Sequence, residues 1–241
     1  EKPSPLDNDI LIPDSKNELF PSAGGPGFSF SAPHGAGYYD TSEYMIGNVS
    51  VGMLLTESNG GIDVETENWS SGEEAHVISE AVNGLNWWVA RNNELFSSPL
   101  TFTLNVYKGR TDARVQTAYE PINRDGDGLI DLWGPEVLEN FGYTTNEGGS
   151  NKFYYRAYQF INDMRDADGT DWGFLTFVAD DSNDANNQFS DGTFAFALLG
   201  GPATQLTYGN ADWGPSRFDE VLAHEMGHIF YANDQRTIHP H

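Results

Sequence analysis

Apolar and polar positions alternate most clearly at two places in this chain. Val49, Val51, Met53 and Leu55 alternate with small or polar residues, as do Phe102, Leu104 and Val106 with Thr101, Thr103 and Asn105. A period of two predicts half-buried strands there. Ala113 to Tyr119 reads as a further strand. The unbroken apolar run Phe174, Leu175, Phe177, Val178 fits a central strand covered on both faces. Residues 194–199 and Gln205 to Tyr208 are strand-like, on either side of Gly200-Gly201-Pro202. Helical spacing takes over elsewhere. Ile78, Ala81, Leu85, Trp88 and Val89 form one stripe, after a Ser70 or Ser71 cap with Glu73 or Glu74 completing a capping box. Trp87 and Trp88 read as core, and His76 as a surface or satisfied histidine. Leu132 to Phe141 predicts a short helix, and Phe153, Tyr154, Ala157, Phe160, Ile161 and Met164 a longer one. Leu222, Met226, Ile229 and Phe230 mark the last, with Ser216 as its N-cap and Asp219 and Glu220 in its first turn. The order is strand, helix, strand, strand, helix, strand, strand, strand, helix, which predicts an α+β domain with helices packed on a mixed sheet.

The last helix carries chemistry. His224-Glu225-Met226-Gly227-His228 places two imidazoles one turn apart on one face. Two imidazoles so spaced can bind one divalent metal, and zinc suits them best. Glu225 then lies where it can act on a water at the metal instead of binding the metal. Apolar flanks in a chain with 6 histidines favour a metal site over two unrelated surface histidines. Gly227 weakens the helix unless another backbone packs closely against it.

The segment resembles the active-site helix of zincin metallopeptidases. Its extended form, His224-Glu225-x-x-His228-x-x-Tyr231-x-x-Asp234, is similar to the motif of metzincins and snapalysin-like peptidases. That resemblance implies a third ligand six residues after the second histidine, at Asp234; His239 and His241 are rivals for the role. Tyr44-Met45-Ile46-Gly47, Glu67-Asn68-Trp69 and Leu85-Asn86-Trp87-Trp88 also resemble a group of secreted bacterial proteins taken to be zinc peptidases. Two departures stand out. Tyr231 occupies the position of the metzincin glycine that permits the turn to the third ligand. Residues 235–241 are too few for a metzincin C-terminal subdomain, so the expected fold is a zincin-like sheet with that subdomain missing or very short. The resemblance further implies that residues 194–199 form a sheet edge beside the zinc cleft, where an extended peptide pairs through its backbone.

Composition narrows the reading. The formal net charge is −24, from 36 acidic and 12 basic residues. Phosphates would be repelled, so nucleic acid is disfavoured, as is an anionic membrane. No apolar run is long enough for a membrane span. There is no cysteine, which excludes disulfides. Residues 1–42, rich in Pro, Gly and Ser, read as an arm or linker, and 43–241 as the peptidase-like domain. A functional alternative makes the arm a pro-segment with His34 or Asp40 at the metal. Glu1 looks like a trimmed start, and the resemblance implies a secreted or cell-surface protein.

Carboxylates in loops invite calcium. Asn123, Asp125, Asp127 and Asp131 put oxygen side chains at loop positions one, three, five and nine, with Gly128 at six. This resembles the calcium loops of EF-hand-like and thrombospondin-type repeats, although Gly134 stands where an EF-hand has Glu and Glu136 lies two further on. Asp163 to Asp171 is a weaker candidate, and Asp180, Asp181 and Asp184 read as a solvated loop. The function expected is a zinc endopeptidase acting on a peptide or protein substrate, with Glu225 as general base. Tyr231 and Tyr208 are candidates to assist the metal with the oxyanion. The alternative is a non-enzymatic extracellular calcium-binding module that keeps the zincin-like fold.

Overall fold

The computed structural model describes residues 36–234 and, before them, the two-residue strand β1 (Ile10–Leu11). The remaining strands are β2 (Gly47–Ser58), β3 (Leu100–Lys108), β4 (Gln116–Thr117), β5 (Trp172–Ala179), β6 (Ala195–Leu198) and β7 (Ala203–Thr207). The helices are α1 (Ser71–Leu95), α2 (Gly128–Asp131), α3 (Trp133–Asn140), α4 (Lys152–Asp168) and α5 (Phe218–Ile229). The α+β expectation holds. The sheet runs β1-β6-β7-β5-β2-β3, with β4 paired to the end of β2. β7, β5, β2 and β3 are parallel; β6 is antiparallel to β7 and parallel to β1.

Side-chain alternation along β2 and β5 explains the layers. Val49, Val51, Met53, Leu55, Trp172, Phe174 and Val178 face one core, shared with Val77, Ala81 and Leu85 of α1 and Val221, Leu222 and Met226 of α5. Leu54, Leu175 and Phe177 face the other, against Val137 of α3 and Phe153, Ala157 and Ile161 of α4. Both strands are covered on both faces, as the apolar run at 174–178 predicts. α1 begins with the anticipated capping box: the Ser70 hydroxyl accepts from the Glu73 N–H, and the Glu73 carboxylate from the Ser70 N–H. Gly84 is required where α1 meets α5, because a Cβ there would sit 2.8 Å from the Asp219 carbonyl oxygen. Gly84→Ala is therefore expected to destabilise by about 1–3 kcal/mol in urea unfolding, despite the better helix propensity of alanine.

Several elements differ from the sequence expectation. Ala113 to Tyr119 holds only a 3₁₀ turn at Ala113–Val115 followed by the short β4. Residues 36–42 already pack on the body: the Gly173 N–H donates to the Thr41 carbonyl and the Ser42 hydroxyl to the Gly200 carbonyl. β6 is not an open edge, since Ala197 and Leu198 pair with Ile10 and Leu11. No helix among the described residues is long and apolar enough to cross a membrane.

Candidate metal centre

α5 begins at Phe218, one residue past a 3₁₀ turn at Pro215–Arg217, so Ser216 lies in that turn and does not cap the helix. Asp219 and Glu220 supply the first-turn charge, and Arg217 pairs with Glu220. The helix is pinned to α1 by the Trp88 indole N–H, which donates to the Ala223 carbonyl at 2.9 Å. Gly227 meets no close backbone: a Cβ there would reach only ordinary contact with Ala232 and Trp88.

The helix ends in a Schellman turn. The Ala232 N–H donates to the Gly227 carbonyl and the Tyr231 N–H to the His228 carbonyl. The residue between helix and tail must be left-handed in this motif, and Tyr231 is, at φ 68°. That backbone costs a non-glycine residue about 1 kcal/mol or more. Its ring lies against Gly200, where a Cβ would overlap it, and the Gly200 N–H donates to the His228 carbonyl at 3.0 Å. The junction between β6 and β7 thus supports the turn from outside.

The turn folds Asp234 back beside the histidines. His224 Nε2 and His228 Nε2 are 2.9 Å apart, and Asp234 Oδ1 lies 3.3 Å from the first and 3.5 Å from the second. A tetrahedral zinc with bonds of about 2.0–2.1 Å sets its ligand atoms about 3.3 Å apart, so the triangle fits that ion. His228 Nδ1 is 2.7 Å from the Ala232 carbonyl. A carbonyl can only accept, so Nδ1 carries the proton and Nε2 presents its lone pair inward. The ligand atoms of this trio all lie within 4.8 Å of one another, close enough to share a metal ion. His239 and His241 lie outside the described residues, as does His34.

His224, His228 and Asp234 line a cleft of about 630 Å³ with Trp87, Trp88 and Gly84. Trp87, read from sequence as core, is half-exposed on this wall and stands edge-on to Trp88. Its place on the exposed side of the α1 stripe, one residue from Trp88, was the signal for a wall residue. Glu225 is fully buried and does not line the cleft. Tyr208 is not at the site: its hydroxyl meets His76 Nδ1 at 3.0 Å, near the far end of β7, which also satisfies His76.

The stretch read as a calcium loop holds a 3₁₀ turn and the start of α2. Asn123 closes a 3₁₀ turn and its amide donates to the Thr66 hydroxyl, while Asp127 leads into α2. Asp125, Asp131 and Asp191 raise the Asp127 carboxyl pKa together with burial, which acts first. Glu136 accepts from the Ala118 N–H and the Thr117 hydroxyl. In the weaker candidate, Asp163 meets the Tyr143 hydroxyl, whereas Asp168 takes the Ser50 hydroxyl and the Asn105 amide. Asp40 acts on Tyr158 and Arg165 and is not grouped with the histidines. No protein-family model matches this chain, and no curated protein matches it in sequence.

Proposed function

We propose that the chain is a secreted zinc endopeptidase of zincin type. The observation that carries this reading is the triangle of His224, His228 and Asp234, which would hold the ion and whose three residues all line the cleft. When bound there, zinc would supply a Lewis acid for the scissile carbonyl and would lower the pKa of water strongly towards neutrality. His224 and His228 orient through their Nε2 atoms, and the Ala232 carbonyl fixes the His228 ring. Glu225, next to His224 on the helix, is the carboxylate this reading assigns as general base, a role in which its buried side chain would have to reach water held at the metal. Its burial keeps the carboxylate out of bulk solvent. Trp87 and Trp88 give the cleft an apolar wall on which substrate side chains rest.

The test is hydrolysis of casein or a quenched peptide by zinc-loaded protein, with and without a chelator. Activity that chelation abolishes and zinc restores supports the reading. A zinc-loaded chain that cleaves neither substrate overturns it in favour of a binding module.

A further inference from the structure

Four carboxylates gather at the opposite end of the sheet from the histidines. The His228 carbonyl bonds Gly200, beside the start of β7, whereas these acids lie about the far ends of β2 and β5. Glu57 is near the end of β2 and Asp180 follows β5; the segments before α1 and after β4 bring in Glu67 and Glu120. None is more than 7% exposed. Thr56 pairs with Ala179, so Glu57 and Asp180 extend neighbouring parallel strands. The chain leaves β2 toward β3 on one side and leaves β5 toward β6 and β7 on the other. A crevice beyond the carboxyl ends of strands that diverge in this way is where open α/β sheets bind ligands.

One oxygen of each acid is tied to the backbone. Glu57 Oε2 accepts from the Trp69 N–H at 3.1 Å, and Glu67 Oε2 from the Asn183 N–H at 2.6 Å. Glu120 Oε2 accepts from the Thr66 and Glu67 N–H groups, and Asp180 Oδ1 from the Ser182 N–H. Asp180 Oδ2 is buried with no hydrogen-bond partner among the described residues. Asp180 is also the common neighbour, since its charge acts on all three glutamates. The charges named as acting on the four are carboxylates, Glu65, Glu73 and Asp184 included. Lys108 and Arg110 pair with Glu74, and Arg124 with Asp63. Burial foremost, with like charge adding to it, pushes the Glu57 carboxyl up to about 8 and that of Glu120 to about 6.

Burying acids together without a counter-charge is unfavourable, and the component that reverses this is a cation. We propose that Glu57, Glu67, Glu120 and Asp180 bind a calcium ion. The donors are all oxygen, with no imidazole or thiolate, which selects a hard cation over zinc. Calcium accepts six to eight oxygens in irregular arrangements, whereas magnesium demands a near-ideal octahedron and keeps its waters. The second oxygen of each acid takes none of these backbone hydrogen bonds and is the one offered to the ion. This site stands apart from the zinc reading and does not depend on it.

The experiment titrates the full chain, stripped with chelator and then held at one equivalent of zinc, with CaCl₂ or MgCl₂, followed by calorimetry and thermal melting. The expected result is one calcium per chain with a rise in Tm that equal magnesium does not match. Asp180→Asn and Glu57→Gln should each weaken calcium binding at least tenfold and remove the rise. In chelator at about pH 9, where Glu57 is ionised, both variants should melt above wild type, because one buried like charge is gone. Asp127→Ala should keep the full calcium response. A wild type that ignores calcium, a response that survives both carboxamide variants, equal binding of magnesium, or a response lost in Asp127→Ala instead overturns the proposal.

Discussion

Glu225→Gln is expected to keep its zinc and lose about 10²–10⁴-fold in kcat/KM on a quenched peptide. The reasoning combines chemistry with position. Glu225 is not in the ligand triangle of His224, His228 and Asp234, so metal content should not change. The amide matches the carboxylate in shape and suits the same buried seat, so the fold should persist. What the amide cannot do is accept a proton from water at neutral pH. Zinc analysis beside steady-state kinetics separates the two effects. A Gln variant with full zinc and full activity would move the base to another residue.

Removing Asp234 is expected to act on the metal itself. Asp234→Ala should weaken zinc by more than about 100-fold, since altering even a hydrogen-bond partner of a ligand typically costs 10–100-fold. Two histidines alone leave the ion without the third protein donor usual in catalytic sites. The control is a chain ending at Gln235, which removes His239 and His241. Because Asp234 Oδ1 already lies 3.3 Å and 3.5 Å from the two Nε2 atoms, the truncated chain should hold zinc as wild type does. Competition with a chromogenic chelator reads both affinities. Loss of zinc in the truncation alone would transfer the third ligand to the tail.

How much of this could be read from sequence depends on range. The His224 and His228 pair was legible because an i, i+4 relation is set by the helix alone. The strands at β2 and β5 were legible because their patterns are local and long. Tyr231 marks the limit of such reasoning. The chain shows that a glycine is missing, but the support for a left-handed tyrosine comes from Gly200, distant in sequence. Asp180 fails for a different reason. Carboxylates are usually exposed, and nothing near it in the chain says that Glu57, Glu67 and Glu120 will converge around it. The Asn123 to Asp131 stretch has the composition of a calcium loop, yet the 3₁₀ turn and α2 direct Asn123 elsewhere.

The pairing of β1 with β6 has a kinetic side. Any peptide that seeks backbone hydrogen bonds at Ala197 and Leu198 meets Ile10 and Leu11 already there. The resident strand is tethered to the same chain, so it competes at an effective concentration on the order of millimolar. It covers two of the four residues of β6, Ala197 and Leu198. A peptide added from outside would therefore compete for that stretch of edge with a rival that dilution does not remove.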